Sequence, residues 1–193
     1  VVVEIEAKFK LRPVLRRSLE AMLGSPIACK RQVDFYFDVG ALPVALRMRR
    51  DGDAGYVTLK SGMTKEAGIR VREEFEPSIS PTDWDTWLTL FARLGFASNE
   101  QVNKTRTVYE FQDICVVIDD VDDLGDYCEV EVVSDTIDDA LQRLEIVITS
   151  LGLANELRLT DSYRDLLRFA ATTQASSKCV EDVSKEKSGE SRL

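Results

Sequence analysis

Apolar and polar residues alternate from the start of the chain. Val1, Val3, Ile5, Ala7 and Phe9 fall on one face, and Val2, Glu4, Glu6 and Lys8 on the other. That period of two predicts a β-strand. The period changes over Arg12–Leu23, where Val14, Leu15, Leu19, Met22 and Leu23 recur at helical spacing until Gly24-Ser25-Pro26 stops the segment. Strand-like runs return at Gln32–Asp38, Val44–Arg50, Gly55–Lys60 and Gly68–Glu76. Asp51-Gly52-Asp53 reads as a hairpin turn, and Ser61–Ala67 as a polar, mobile connection. A second helix is expected from Ser80-Pro81-Thr82-Asp83, with a Ser or Thr cap and Pro in the first turn. It carries Trp84, Trp87, Leu88, Phe91 and Leu94 on to Gly95, with Trp87 expected in the core. Strands follow over Val102–Gln112 and Ile114–Asp119 and, after the acidic turn Asp120–Asp126, over Tyr127–Val133. Asp135–Leu151 bears an apolar stripe of Ile137, Ala140, Leu141, Leu144, Ile148 and Leu151. A last helix is expected over Thr160–Phe169, capped by Thr160 or Asp161.

Eight strands and four helices in this order predict an α+β fold built on a large antiparallel sheet, because strands and helices do not alternate as in a doubly wound fold. Residues 1–170 read as one domain. Residues 171–193, rich in Ser, Lys and Glu, read as a disordered polar tail.

The strand faces carry the chemistry. One face of the set bears Glu4, Glu6 and Lys8; Arg47 and Arg49; Thr58 and Lys60; Arg70, Arg72, Glu74 and Glu76; Lys104, Arg106 and Glu110; Asp119; and Glu129 and Glu131. The other face is apolar in most strands. A single strand of this kind is usually just wet on its charged side. A dense array of Arg and carboxylate groups across most of one sheet is costly to bury unpaired. Closing the sheet into a barrel would line a hydrated tunnel with these groups and leave the apolar outside for the helices.

Composition narrows the chemistry further. The 193 residues hold 25 Lys+Arg against 34 Asp+Glu, a net charge of −9. A generic nucleic-acid binder would be basic, so no nucleic-acid partner is expected. His is absent, which excludes Ser-His-Asp and Cys-His catalysis and leaves any metal to oxygen or sulfur ligands. Cys29, Cys115, Cys128 and Cys179 form no CxxC pair and read as reduced, buried thiols. No apolar run reaches the ~20 residues of a membrane span, so no membrane partner is expected. Asp119-Asp120-Val121-Asp122-Asp123 lacks the spacing of a calcium loop and reads as an acidic turn with Asp119 alone near a site.

Glu4-Ile5-Glu6-Ala7-Lys8 resembles the ExExK signature of the CYTH, or triphosphate tunnel metalloenzyme, family. Further motifs follow in the family's order. Gln32-Val33-Asp34-Phe35-Tyr36-Phe37-Asp38 resembles its Q-x-D-x-Y-[FY]-D strand, Ala45-Leu46-Arg47-Met48-Arg49 its LRxR, and Leu59-Lys60 its LxxK-type strand. Arg72-Glu73-Glu74-Phe75-Glu76 resembles R-x-E-x-E, and Lys104-Thr105-Arg106 resembles KxR. Asp119 with Leu124-Gly125-Asp126-Tyr127-Cys128-Glu129-Val130-Glu131 looks like the family's paired acidic strands, and Ser162-Tyr163-Arg164-Asp165-Leu166-Leu167 like its terminal SYxxLL.

The resemblance implies a closed eight-stranded antiparallel β-barrel, a tunnel with flanking helices, that binds a triphosphate with Mg²⁺ or Mn²⁺. Glu4, Glu6, Asp119, Glu129 and Glu131 would hold the metal. Arg47, Arg49, Lys60, Arg72, Lys104 and Arg106 would clamp phosphate oxygens, a task suited to the bidentate Arg fork. Lys8, with Glu4 and Glu6, would serve catalysis, and Glu74, Glu76, Tyr36 and Tyr163 would support the site. The position before Ser162-Tyr163, basic in several relatives, is Asp161 here, so Arg158 or Arg164 is a candidate substitute. The expected reaction is metal-dependent hydrolysis of thiamine triphosphate, tripolyphosphate or a nucleoside triphosphate. The alternative is a class IV adenylyl cyclase, which makes cyclic AMP and pyrophosphate from ATP. The expected partner is a triphosphate-bearing small molecule, the expected state a monomer or homodimer, and the expected compartment the cytoplasm, with a targeting segment ahead of Val1 left open.

Overall fold

The computed structural model describes residues 3–66 and 68–173, with the backbone alone at 62–66 and 99. Within Val1–Thr160 the element order is β1 (Val3–Lys10), α1 (Pro13–Leu23), β2 (Ala28–Asp38), β3 (Val44–Asp51), β4 (Ala54–Glu66), β5 (Ile69–Phe75) and β6 (Ser78–Ile79). A 3₁₀ turn (Pro81–Asp83) leads into α2 (Trp84–Arg93), followed by β7 (Ala97–Phe111), β8 (Ile114–Val121), β9 (Gly125–Ser134), α3 (Ile137–Ser150) and β10 (Arg158–Leu159).

Strands β1-β5-β4-β3-β2-β7-β8-β9 pair in that spatial order, and β9 returns to pair with β1. All eight junctions are antiparallel, so the sheet closes into a barrel with no free edge. These eight staves are the eight strands expected from alternation. The two-residue strands β6 and β10, too short to show a period, add to β4 and β1.

Closure fixes which face points where. Side-chain direction alternates along each strand, so Glu4, Glu6 and Lys8 face the lumen while Ile5, Ala7 and Phe9 face out. The outer face is covered in two places. Ile5, Phe9, Val116, Ile118, Val130 and Val132 pack with Leu19 of α1 and Ala140, Leu144, Val147 and Ile148 of α3. Phe37, Leu46, Met48 and Val57 pack with Ile79, Trp84 and Phe91.

Trp84, 5% exposed, is the buried tryptophan; Trp87 packs only from the side of that cluster, its ring tilted against Phe91 at 5.7 Å. This reverses the expected emphasis. The 3₁₀ turn, in which Ser80 Oγ accepts from Thr82 N–H at 3.3 Å, rotates the helix start and turns Trp84 inward, with Arg50 over its ring.

The segment 61–66, expected as a connection, continues β4 past a register shift between Ser61 and Thr64. Its polar residues mimic a loop, but a tilted barrel needs long staves. For the same reason β2 and β7 begin at Ala28 and Ala97, ahead of the expected starts.

Asp161–Leu193 forms a second unit, whose described part is a helix over 163–173, α4. Ser162, not Thr160 or Asp161, is its cap. Ser162 Oγ accepts from Asp165 N–H at 3.1 Å and donates to the Asp165 carboxylate at 2.6 Å, a side-chain N-cap. The tail expected from 171 lies, beyond residue 173, outside the described residues. Cys179 lies there too. Of the other cysteines, Cys128 is buried, Cys115 half-buried and Cys29 exposed, contrary to the expectation of burial, and all three are free thiols.

Candidate active site

Cross-strand register brings the charged faces together. Glu4 stands opposite Arg72, and Glu6 opposite both Arg70 and Glu131. Lys8 stands opposite Glu129, Asp34 opposite Arg49, and Arg106 opposite Asp119. The lumen wall therefore carries the cations Lys8, Arg47, Arg49, Lys60, Arg70, Arg72, Lys104 and Arg106. Its anions are Glu4, Glu6, Asp34, Glu74, Glu76, Asp119, Glu129 and Glu131. Among the described residues the two sets are equal in number, so that most of these buried groups find an opposite partner.

Three clusters share the wall. In the first, Glu4 accepts from Lys60 Nζ at 3.0 Å and from Arg72 at 2.9 Å, Arg72 reaches on to Glu6 at 2.7 Å, and Glu6 also accepts from Arg70. Lys60 holds Glu74 at 2.7 Å. In the second, Asp34 accepts both arms of Arg49, at 2.6 and 2.8 Å. Arg47 spans Asp34 at 3.4 Å, Thr58 at 3.1 Å and Glu76 at 3.1 Å. In the third, Arg106 binds Asp119 at 2.6 and 2.8 Å, Glu129 at 2.5 Å and Glu131 at 3.4 Å. Lys104 meets Asp119 at 3.2 Å, and Lys8 meets Glu129 at 3.1 Å with both side chains nearly inaccessible.

Proton affinities follow from these neighbours. Burial raises Glu131, Arg106 opposes it, and the charges of Glu129, Glu4 and Glu6 leave it at about 8. Burial and a hydrogen bond with Glu4 push Glu74 up to about 7. Burial works against ionised Glu4, but the Glu74 hydrogen bond, Lys60 and Arg72 outweigh it and hold Glu4 well below the usual range. Glu129 is likewise held low, against burial, by Lys8, Arg106, Lys104 and Arg70. Burial and Arg106 bring Lys104 down to about 8, and burial lowers Lys8 in spite of Glu129.

All the lumenal residues singled out from sequence lie on this wall, with Tyr36 half-buried opposite Arg47. Glu110, on the same face, sits exposed beyond them. Tyr163 opens α4 and belongs to the second unit. Arg158 is not a spare clamp, because both arms of its guanidinium bind Glu145 of α3, at 2.6 and 2.7 Å. Of the acidic turn only Asp119 enters the lumen. Asp122 pairs with Arg31 outside, and Asp123 takes a left-handed turn conformation.

Asp34 and Arg70, given no role from sequence, also line the lumen. Asp34 is 1% exposed and anchors both Arg47 and Arg49; Arg70 is 4% exposed and bridges Glu6 and Glu129. Each lies two positions from a residue that was singled out, so the strand period could have found them.

The five carboxylates expected to hold a metal do not converge. Among the described residues no three acidic or thiol side chains are grouped to hold an ion, because Glu4, Glu6, Asp119 and Glu129 are each turned onto a cation. The donor chemistry still fits a hard divalent ion. Glu4, Glu6 and Glu131 are oxygen donors on the adjacent strands β1 and β9, and Glu131 is left under-neutralised by its carboxylate neighbours.

A closed antiparallel barrel with this wall is a charged β-tunnel. A sequence profile described as "CYTH domain" matches residues 3–163, and the chain belongs to that family. It is 29% identical over 172 residues, covering 85% of this chain and 97% of the relative, to the Methanocaldococcus jannaschii protein named "Putative adenylate cyclase MJ0240". A conserved hypothetical protein from Pyrococcus furiosus superposes with a TM-score of 0.71 at 28% identity, covering 84% of this chain and 99% of that one. A Hippeastrum protein titled "Putative adenylyl cyclase HpAC1 from Hippeastrum reveals a dominant triphophatase activity" has a TM-score of 0.67 at 19% identity. It covers 87% of this chain and 95% of its own, a likeness of fold. Cyclase and triphosphatase activities are thus named for these relatives. No described helix is long and apolar enough to cross a membrane.

Proposed function

We propose that the tunnel binds a triphosphate-bearing small molecule and, with Mg²⁺ or Mn²⁺, hydrolyses its terminal phosphoanhydride. The observation that carries this reading is the ring of exchangeable ion pairs on the lumen wall. Every arginine and lysine there is now held by a carboxylate. A phosphate oxygen offers a guanidinium the same bidentate geometry. As phosphate oxygens engage Arg47, Arg49, Lys60, Arg72, Lys104 and Arg106, the carboxylates that share these cations lose part of their neutralisation beside a polyanion. A divalent cation restores neutrality, whereas a polyanion alone would leave these carboxylates under-compensated.

When bound, the cation neutralises phosphate charge and positions water, and Glu4, Glu6 and Glu131, with Asp119 and Glu129, would hold it. The chain's own residues supply the rest. Arg49 and Arg106, each anchored by a buried carboxylate, are preorganised to stabilise charge on phosphate oxygens without moving. Lys8, lowered by burial, and Glu131, raised to about 8 by burial and neighbouring carboxylates, have proton affinities drawn toward neutrality. Lys8, in its neutral form, can accept the proton of the attacking water, while Glu131 stays among the cation's ligands. Water adds to the terminal phosphorus, the bridging P–O bond breaks, and orthophosphate and a diphosphate leave.

The name of the Methanocaldococcus jannaschii relative favours a second reading, adenylyl cyclase. There the ribose 3′-oxygen attacks the α-phosphorus, the α–β bridging bond breaks, and cyclic AMP and pyrophosphate form. One assay separates the two. Purified protein with Mg²⁺ or Mn²⁺ is offered ATP, thiamine triphosphate and tripolyphosphate separately, and the products are resolved by chromatography. Orthophosphate with diphosphate products supports hydrolysis, and cyclic AMP with pyrophosphate replaces it with cyclisation. Tripolyphosphate binding that is equally tight in excess EDTA removes the metal from the account.

A further inference from the structure

Five carboxylates are more than one ion needs. Mg²⁺ is usually bound by one or two carboxylates together with substrate phosphates, and a pair of ions clamping the phosphate is a common alternative. Strand β5 decides between one ion and two. It carries Arg70 and Arg72, two positions apart and so on the same face. A single terminal nitrogen of each bridges two carboxylates. Nη2 of Arg72 lies 2.9 Å from Glu4 and 2.7 Å from Glu6 Oε2. Nη2 of Arg70 meets Glu6 Oε1 and lies 3.8 Å from Glu129 Oε1 on β9. Each nitrogen thus sits where an ion bridging the same two acids would sit.

The two arginines differ in what can draw them away. Arg72 belongs to the proposed clamp, and its side chain is 13% exposed. A phosphate oxygen that engages it loosens Glu4 and Glu6 Oε2 for an ion. Arg70 stands outside the clamp, and its side chain is 5% exposed. Burial works against its charge, but Glu6 and Glu129 outweigh that effect and keep it protonated. A guanidinium does not shed its proton in a protein, so this charge is permanent. Glu129 Oε1 is held by Lys8 as well, at 3.1 Å. A fixed positive charge between Glu6 and Glu129 fills the place of a divalent ion and repels one that approaches.

We infer that Arg70 is a positioning residue that takes the place of a second metal ion, so that the tunnel holds one divalent ion, on the side of Glu4, Glu6 Oε2 and Glu131. This rests on the metal-dependent triphosphate reading above and specifies its ion count. Arg70 orients Glu6 by holding one carboxylate oxygen and leaving the other for the ion.

The test counts tightly bound Mn²⁺ per chain. The full chain is taken through equilibrium dialysis against Mn²⁺ and imidotriphosphate, whose P–N–P bridges resist hydrolysis, and metal and analogue are both measured. One ion is expected in the unaltered protein, two in Arg70→Gln, and one again in Arg70→Lys, which keeps a positive charge. A merely structural role for Arg70 would not add an ion. Two ions in the unaltered protein, a count that needs no variant to fold, overturn the inference and leave the reading above intact. A single ion in Arg70→Gln does the same. Two ions in Arg70→Lys also overturn it, because the charge is then not what keeps the second ion out. If Arg70→Gln is unfolded without metal, return of the parent's circular dichroism in Mn²⁺ and the analogue, with two ions bound, supports the inference, and no return overturns it. If the unaltered protein binds the analogue and no Mn²⁺, the metal leaves the reading above and the inference falls with it. If the analogue does not bind, both fall together.

Discussion

Arg49 lies across both carboxylate oxygens of Asp34, at 2.6 and 2.8 Å, from the directly opposite position on the neighbouring strand. The carboxylate is 1% exposed, the arginine 6%. The pair is placed by the register of β2 on β3, and it fixes where the guanidinium points before any anion arrives. Arg47 reaches the same carboxylate at 3.4 Å, so one buried acid orients two of the proposed clamps. Removing it takes the carboxylate from buried Arg49, while Arg47 keeps Glu76. Asp34→Asn is expected to cost about 3–5 kcal/mol of folding stability, read from urea unfolding. A loss under about 1 kcal/mol would show that the arginines find other partners, because that is the range of an exposed pair.

Arg72 is poised differently. Its terminal nitrogen holds Glu4 and Glu6, while its buried Nε has no partner among the described residues. Arg72→Ala is expected to raise the KM for a triphosphate by about 10–100-fold, the equivalent of one or two charge-assisted hydrogen bonds. An unchanged KM would take Arg72 out of the clamp.

Glu4→Gln keeps the side chain's shape and removes its charge. Turnover is expected to fall by about 10²–10³-fold, the loss seen when one stabilising group leaves a preorganised site, while circular dichroism stays that of the parent. Wild-type-like turnover would remove Glu4 from the metal set.

The raised carboxylates set a pH dependence in the metal-free protein. Glu131 and Glu74 go from an ordinary 4.5 up to about 8 and about 7 on folding. Above pH 4.5 the unfolded chain releases these protons while the folded chain keeps them. Stability therefore falls as pH rises from about 4.5 toward 7 and 8, by at most about 1.4 kcal/mol per pH unit for each proton. The held-down acids Glu4, Asp34 and Glu129 act in the opposite sense, with stability present above their unfolded values and lost on strong acidification. Glu131→Gln is expected to flatten the slope between pH 5 and 8 in EDTA, followed by thermal unfolding. An unchanged slope would assign it elsewhere.

Gly68 tests the barrel's construction. Its φ is +78°, and a Cβ there would lie 2.5 Å from Cβ of Arg158 in β10. Gly68→Ala should lower stability by about 1–3 kcal/mol through both strain and contact, measured against Gly52→Ala. Gly52 also has positive φ but faces open space, so equal losses would leave the β10 contact without weight.

The alternation of Glu4, Glu6 and Lys8 with Ile5, Ala7 and Phe9 was enough to mark a strand with one charged face, because side-chain direction in a strand has a period of two. The same period sorted Arg47 and Arg49 from Leu46 and Met48, and so set the lumenal residues before any partner was known. The ordered motifs pointed to the CYTH family on the same grounds. What alternation could not carry was register. Which cation meets which acid depends on how far one strand slides past the next, and residues such as Asp34 and Arg49, or Lys8 and Glu129, are far apart in sequence. The register of β2 on β3 made Asp34 an anchor, that of β5 on β1 turned Glu4 and Glu6 onto arginines, and closure of β9 on β1 turned Glu129 onto Lys8. Folding also turned Arg158 away to Glu145. Chain-local chemistry sets the face of a residue; the neighbour on that face is set by the register and closure of the sheet.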